Sequence, residues 1–169
     1  MSLKNLNATI KIPKQFKKKL TNLRIKKIYI DFEKNLKIKK KFAVAVSGGP
    51  DSLALAFLSK IYSLNNKIIP KFLIVDHRLR PESTNEAKLV KKVLKKHSIN
   101  AEILTWYGKK PKKNIQSVAR NKRYDLLIKR CKKLKINNII LGHHQDDLLE
   151  NFFIRIFRGS GLKGLTSLK

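Results

Sequence analysis

The chain has 169 residues, 42% of them apolar, which is enough for one domain with its own hydrophobic core. It contains a single cysteine, Cys131, which excludes an intramolecular disulfide and a cysteine-rich zinc or redox site. No segment approaches the roughly 18 consecutive apolar residues of a membrane span, and the N-terminus lacks the apolar core of a signal peptide. We therefore expect a soluble, cytoplasmic protein with no membrane partner.

Basic residues dominate the charge, with 40 Lys and Arg against 11 Asp and Glu and a formal net charge of +29. Such an excess predicts a polyanionic partner such as RNA or DNA, bound through phosphate contacts that weaken with salt. The alternative is genome composition, because Lys, Asn and Ile are all frequent, as an AT-rich genome would produce. Both explanations stay open at this point.

Residues 1–41 form a basic leader whose only acidic residues are Asp31 and Glu33. Apolar positions within Ile25–Leu36 predict a short helix that packs against the core. The Lys-rich segments on either side of it are interpreted as exposed. They are either a solvated linker or an arm that contacts nucleic acid.

From Phe42 onward, strand and helix patterns alternate along the chain. The predicted strands are Phe42–Val46, Lys71–Val75, Ala101–Thr105 and Asn137–Leu141. The predicted helices are Asp51–Tyr62, Glu82–His97, Asn114–Lys133 and Asp146–Phe157. Four such units predict one α/β domain over residues 42–169, a doubly wound parallel sheet with helices on both faces. Ligands of such sheets bind beyond the carboxyl ends of the strands, near the point where strand order reverses.

The segment 47–52, Ser-Gly-Gly-Pro-Asp-Ser, joins the first predicted strand to the first helix. Glycines permit unusual backbone angles, and the N–H groups of a helix start, with the hydroxyls of Ser47 and Ser52, predict a phosphate site. A Walker A loop would carry Gly-Lys-Ser/Thr after the turn, so Asp51-Ser52 disfavours an ordinary P-loop NTPase. The alternative is a turn that only joins strand to helix.

Three acidic residues, Asp146, Asp147 and Glu150, fall at the predicted start of the last helix, three and four residues apart. Their carboxylates would cluster on one side of the first turn. Helix capping is one explanation, and a site for a divalent metal or an ammonium group is the other. His143 and His144 precede them and would orient a phosphate or transfer a proton, although a structural role for one of them is equally plausible.

Arg120 and Arg123, followed by Tyr124, lie on the predicted helix Asn114–Lys133. The apolar positions of this helix are expected to face the sheet, and they are Ile115, Val118, Leu127, Cys131 and Leu134. The arginines would then lie near the phosphate end, where guanidinium groups suit phosphate binding, unless they are merely solvated. The segment 76–80, Asp-His-Arg-Leu-Arg, follows the second strand as a functional loop or a simple turn.

Four motifs occur in order: VSGGPDS, VDHRLRPES with Glu86 after it, ARNKRY, and LGHHQDDLLENFFIRIFRGSGLKGL. Together they resemble the tRNA(Ile)-lysidine synthetase family of the ATP pyrophosphatase, or PP-loop, superfamily over residues 42–165. The resemblance implies an adenine nucleotide alpha hydrolase-like, Rossmann-like fold and a two-step reaction. ATP adenylates the C2 carbonyl oxygen of the wobble cytidine of tRNA(Ile) with a CAU anticodon, releasing pyrophosphate. The ε-amine of free L-lysine then attacks C2 and expels AMP, which leaves lysidine.

The resemblance also implies roles for individual residues. The ATP phosphates would be held by Ser47, Gly48, Gly49, Pro50, Asp51 and Ser52. The catalytic residues would be Asp51, Arg120, His143, Asp147 and Glu150. Contact with lysine or tRNA would fall to Arg120, Arg123, Asp146, Asp147 and Glu150. Asp51 would help to place Mg²⁺, Asp147 and Glu150 would receive the cationic lysine or assist the metal, and His143 would act near the reacting base. The two arginines would contact phosphate or the tRNA backbone.

Members of this family usually continue beyond the GSGLKGL segment with a further strand and helical domains. We therefore expect the domain to be incomplete at its C-terminus, or the protein to be a reduced form that needs a second chain. Within the superfamily, tRNA thiolation enzymes are disfavoured by the solitary Cys131, and NAD or GMP synthetases would not need this basicity. A non-catalytic nucleotide- and RNA-binding remnant is the remaining alternative. The sequence leaves open whether a homodimer forms.

Overall fold

The computed structural model describes residues 16, 19–109, 111 and 113–142. The helices are α1 (Leu23–Asn35), α2 (Pro50–Asn65), α3 (Ser83–Lys96) and α4 (Ile115–Lys133). The strands are β1 (Phe42–Ala45), β2 (Lys71–Asp76), β3 (Ala101–Thr105) and β4 (Asn138–Leu141). The predicted alternation is confirmed through β4, with bounds that differ by a few residues at most. The predicted helix Asp146–Phe157 lies outside the described residues.

The strands form a parallel sheet in the order β3-β2-β1-β4. In β1, Val44 pairs with Phe72 of β2 and with Ile140 of β4, and Phe72 pairs in turn with Ala101 of β3. The chain runs outward from β1 to β3, and α4 then carries it back to the other side of β1. Strand order therefore reverses between β1 and β4, which is where such sheets bind ligands.

Helices cover both faces of the sheet, as predicted. On one face, Phe42 and Val44 of β1 contact the cluster formed by α1, α2 and α3. On the other face, Ala43 of β1 packs with Leu127 and Cys131 of α4. The alternation along β1 explains its continuous apolar sequence, since a parallel strand is buried on both sides. Across the described ranges, no helix combines the length and the apolar character needed to cross a membrane.

Helix α4 corrects one sequence expectation. Leu127 and Cys131 are buried against the sheet as predicted, but Ile115 is 47% exposed. A helix of 19 residues is about 28 Å long, whereas a strand of 6 residues spans about 20 Å. The first turn of α4 therefore extends past the sheet, which leaves Ile115 without an apolar surface to cover.

Helix α1 joins the basic leader to the core. It begins where the Asn22 side chain accepts hydrogen bonds from the N–H groups of Arg24 at 3.0 Å and Ile25 at 3.3 Å. Tyr29 is buried, and its hydroxyl donates to Glu33 at 2.8 Å and accepts from Asn65 of α2 at 2.6 Å. The predicted short helix is therefore present and packs against α2.

Candidate functional site

The segment 47–52, called here the phosphate loop, turns the chain from β1 into α2. The backbone N–H of Val46 still bonds to the carbonyl of Leu73 at 2.8 Å, and the turn follows at once. Gly48 has φ +98°, a conformation that side-chain-bearing residues rarely adopt. Gly49 caps α2, and Pro50 occupies its first turn, where a missing N–H costs nothing. The helix therefore starts immediately beyond the carboxyl end of β1.

The hydroxyl of Ser52 braces the phosphate loop from inside. Its oxygen accepts from the N–H groups of Ser47 at 3.2 Å and Gly48 at 3.1 Å, and it donates to the carbonyl of Gly49 at 2.9 Å. The Ser47 hydroxyl lies 3.1 Å from the same oxygen. A hydroxyl has one hydrogen to give, so Ser52 shapes the turn here, whereas the sequence suggested a donor to the ligand.

The end of β4 meets the first turn of α2. A Cβ placed on Gly142 would lie 3.0 Å from the Cα of Ser52 and 3.1 Å from its backbone nitrogen. Only a residue without a side chain permits this approach without displacing backbone. Gly142 therefore brings the exit of β4 against the phosphate loop, at the reversal of strand order.

A cavity of about 180 Å³ lies at this end of the sheet, between the phosphate loop, the end of β2, α3 and α4. Its polar lining residues are Ser47, Ser52, His77, Arg80, Ser83, Glu86 and Arg123. The guanidinium of Arg80 pairs with Glu86 at 2.8 Å. With Arg123 on the facing helix and the amino end of α2 beside it, the cavity has the electrostatic character of an anion site.

Asp76 organises the loop that follows β2. The residue is 2% exposed, and its carboxylate accepts hydrogen bonds from the Arg78 N–H at 3.0 Å, the Ser83 hydroxyl at 3.0 Å and the Thr84 hydroxyl at 2.7 Å. Burial opposes ionisation, but the bonds from Thr84, the Arg78 backbone and Ser83 outweigh it and hold the pKa of this carboxyl below its usual value. Asp76 is therefore an ionised, internal anchor of the loop.

His77 lines the cavity as a neutral imidazole. Burial is the main cause that lowers its pKa, and the positive charges of Arg123 and Arg80 lower it further. Its Nδ1 accepts from the N–H of Leu79 at 3.4 Å, which assigns the proton of the neutral ring to Nε2. His77 can therefore donate one hydrogen bond to an anion.

The predicted arginines lie in different surroundings. Arg123 is half-buried and lines the cavity. Arg120 is exposed, with its guanidinium 5.9 Å from the centroid of the Tyr124 ring. The helix thus presents one of the two to the cavity and the other to solvent.

The predicted acidic cluster and its histidines, which are His143, His144, Asp146, Asp147 and Glu150, lie outside the described residues. Asp51 is described, and it is exposed in the first turn of α2. Within the described ranges, no three His, Cys, Asp or Glu side chains group in a way that would hold a metal ion.

Two supporting residues were missed in the sequence. Ser83 and Thr84 begin α3, a position where hydroxyl residues usually cap a helix. Here their hydroxyls bond to Asp76 instead, and Glu82 precedes the helix without a side-chain capping bond. The signal in the sequence was their position, seven and eight residues after Asp76.

Comparison with known proteins agrees with this geometry. A family model described as a PP-loop domain matches residues 14–169. The chain is 46% identical over 136 residues to a tRNA(Ile)-lysidine synthase of Orientia tsutsugamushi, covering 80% of this chain and 30% of the relative. It is 43% identical over 128 residues to the one from Wolbachia pipientis wMel, covering 75% and 30% respectively. The chain thus spans about a third of the length of these curated relatives.

A solved structure shares the fold. The U34-tRNA thiolase NcsA from Methanococcus maripaludis, determined with its [4Fe-4S] cluster, superposes with a TM-score of 0.67 over 82% of this chain and 53% of that one. The sequence identity is 21%, so the likeness concerns the fold alone. It confirms the expected Rossmann-like architecture. With its family match over residues 14–169 and its Ser-Gly-Gly turn at the carboxyl end of the central strand, the chain belongs to the PP-loop domain family.

Proposed function

We propose that this chain is the ATP-using part of a tRNA-modifying ligase that joins L-lysine to C2 of the wobble cytidine of tRNA(Ile) with a CAU anticodon. The products would be lysidine, AMP and pyrophosphate. The relatives named tRNA(Ile)-lysidine synthase support this proposal, although the chain covers only 30% of the length of the first of them. The observation that carries it is the phosphate loop at the reversal of strand order, with a cationic cavity beside it.

The ATP phosphates would bind at the phosphate loop. The amino end of α2 offers the positive end of a helix dipole, and the turn at Gly48 brings the chain's backbone close to that end. Arg123 adds a guanidinium that suits phosphate oxygens, and His77 adds a neutral donor. These groups stabilise negative charge, which develops further when pyrophosphate leaves, so the site suits nucleotidyl transfer.

The acceptor half of the reaction would belong to the segment after β4. Gly142 lies against the phosphate loop, and residues 143–150 follow it directly in the chain. In this proposal Asp146, Asp147 and Glu150 receive the lysine ammonium, and His143 acts near the base. Mg²⁺, which neutralises phosphate charge when bound, would be held by Asp51 together with these carboxylates.

The basic surface would hold the tRNA. A net charge of +29 on 169 residues gives a strong, salt-dependent attraction for a phosphate backbone. Arg120 is exposed on α4 and would contact that backbone. Arg123 on the same helix would face the nucleotide.

The test is release of pyrophosphate from ATP, measured with and without L-lysine and with tRNA(Ile) or an unrelated tRNA. The proposal expects release that needs the cognate tRNA and lysine together for full turnover, and loss of release in Asp51→Ala. Asp125→Ala is the matched control, because its side chain is 66% exposed on α4 and pairs only across one turn with Lys122. Tight RNA binding without any release would contradict the ligase and favour a non-catalytic RNA-binding remnant.

A second variant separates the two halves of the reaction. Glu150→Gln should impair the use of lysine more than the binding of ATP, because a neutral amide attracts an ammonium group less than a carboxylate does. Lysine-concentration dependence of turnover, compared with ATP affinity measured by calorimetry, distinguishes the two effects. A collapse of ATP affinity instead would make the acidic cluster mainly a metal site.

A further inference from the structure

An exposed aromatic side chain lies at the rim of the candidate site. Tyr107, two residues beyond β3, is 79% exposed. The guanidinium of Arg78 lies 4.7 Å from the centroid of its ring. Neither residue belongs to the described residues that line the cavity, although His77 and Arg80, on either side of Arg78, both do. The pair is therefore adjacent to the candidate nucleotide site without being part of it.

Both members of this pair are held in place by Asp76. Arg78 has φ +51°, a left-handed conformation that costs a residue with a side chain about 1 kcal/mol or more. The Asp76 carboxylate stabilises it by accepting the Arg78 N–H at 3.0 Å, and it also lies 4.0 Å from the guanidinium Nε. The carbonyl of Asp76 accepts the N–H of Trp106, which precedes Tyr107, at 2.9 Å. Arg78 is thus held by the carboxylate of Asp76, and the turn of Tyr107 by its backbone carbonyl.

The turn that carries Tyr107 is also constrained from within. The indole of Trp106 lies so close to Gly108 that a Cβ there would overlap it. Glycine at this position therefore lets the indole occupy the inside of the turn while Tyr107 stays outside. The segment 106–113, Trp-Tyr-Gly-Lys-Lys-Pro-Lys-Lys, contains four lysines and no acidic residue. An open ring thus stands at the start of a strongly cationic segment.

We propose that Tyr107 and Arg78 form a stacking platform for an unpaired nucleobase of the RNA substrate. The inference rests on the proposed function only in requiring that the substrate be RNA. Every base has a π-face, and single-stranded bases stack on aromatic rings and on guanidinium planes. Lys109 and Lys113, both exposed, would contact the adjoining phosphates. A nucleobase on this platform would sit beside the cavity that is proposed to hold ATP, where a base must come to react.

The neighbouring tryptophan provides a direct test. Trp106 is the sole tryptophan of the chain, so its fluorescence reports on this turn alone. The full chain is titrated with a single-stranded oligoribonucleotide, with a blunt RNA duplex carrying the same number of phosphates, and with ATP. The platform predicts saturable quenching by the single strand and little by the duplex. Anisotropy of labelled RNA gives the affinities independently of the quenching.

The variants define what the ring contributes. Tyr107→Leu should bind the single strand about 5- to 100-fold more weakly, which is the usual effect of losing one stacked base, while Tyr107→Phe stays within about 3-fold of the parent. Ile69→Ala is the matched control, because Ile69 is 84% exposed just before β2, at the opposite end of the sheet, and should change nothing. Circular dichroism verifies that each variant is folded.

Each other outcome counts against the platform. If Tyr107→Leu weakens ATP binding and spares RNA, the ring stacks on the adenine of the nucleotide. If Tyr107→Leu and Ile69→Ala behave alike, the ring binds no base. Binding needs neither lysine nor turnover, so failure of the ligase assay leaves this result standing, and failure of the platform leaves lysine-dependent pyrophosphate release untouched.

Discussion

The two glycines of the phosphate loop should respond very differently to the same substitution. At Gly48, φ is +98°, and an added Cβ would lie 2.5 Å from Cγ2 of Val90 on α3. At Gly49, the backbone is extended, with φ −70° and ψ 162°, and the nearest atom to an added Cβ is the Ser47 hydroxyl at 3.9 Å. Gly48→Ala should therefore destabilise the protein, and Gly49→Ala is its matched control.

The expected magnitude at Gly48 combines two costs. A backbone conformation that alanine rarely adopts costs about 1–3 kcal/mol. Fitting a methyl group into an occupied position costs about a further 1–3 kcal/mol, because Val90 is β-branched and its rotamer on a helix is restricted. The sum is roughly 2–6 kcal/mol, unless the loop relaxes and loses its shape. Gly49→Ala should cost about 1 kcal/mol or less, the difference between glycine and alanine at a helix cap.

Urea denaturation of both variants measures these free energies of unfolding, and calorimetry measures the affinity of each variant for ATP. Gly48→Ala should lose stability, ATP affinity or both, since the strain is relieved only by unfolding or by moving the N–H groups of the loop. Adding Val90→Ala should recover the steric part of the loss and leave the conformational part. If Gly48→Ala equals Gly49→Ala in stability and in ATP affinity, the phosphate loop does not have the conformation described here.

Four further predictions concern charged and titratable side chains. Asp76→Asn should cost about 1–3 kcal/mol at neutral pH. The pKa of Asp76 is lower in the folded than in the unfolded protein. The difference in free energy of unfolding between parent and variant should therefore persist above about pH 4 and vanish as the pH falls through the folded pKa. Urea denaturation at each pH measures this difference. Glu102 lies away from the loop and pairs with Lys71 and Arg130. Glu102→Gln should therefore lower the free energy of unfolding by about 1 kcal/mol without changing the affinity for ATP. Burial is the main cause of the lowered pKa of His77, and the charges of Arg123 and Arg80 lower it further. Tripolyphosphate should raise this pKa, as followed by NMR of the Cε1 proton, because the anion offsets the two arginines. Arg123→Ala should weaken ATP binding about 10-fold or more, whereas Arg120→Ala should spare ATP and reduce the salt slope of RNA binding by about one.

Most of the fold could be predicted from local patterns in the sequence. The Val-rich run of β1, the glycines after it and the helical spacing of Leu127 and Cys131 each depend on neighbours along the chain, and the structure places them as expected. Contacts between segments that are distant along the chain could not be predicted from the sequence. Phe16 of the leader is fully buried, and its ring lies tilted against that of Phe57 with the centroids 4.9 Å apart, although lysines surround Phe16 in the sequence.

The same limit applies to the candidate site. The phosphate loop and Arg123 were indicated by motif and helical spacing, and both border the cavity. The outward orientation of Arg120 could not be predicted. Arg120 and Arg123 are three residues apart on a helix, so their directions differ by about 60°, and only packing against the sheet decides which of them faces the cavity. The stack of Arg78 on Tyr107 joins loops from different strands, and no spacing within either loop encodes it.

The contacts around the phosphate loop also indicate where specificity resides. Gly48 against Val90 ties the loop to α3, and Gly142 against Ser52 ties β4 to α2. These contacts involve backbone or a single methyl group, so they fix the shape of the anion site and leave little freedom to vary it. Side chains that follow β2 and β3 have no such restriction, because they project from loops at the rim. The loops after β2 and β3, which carry His77, Arg78 and Tyr107, are therefore where we expect proteins of one fold to vary most.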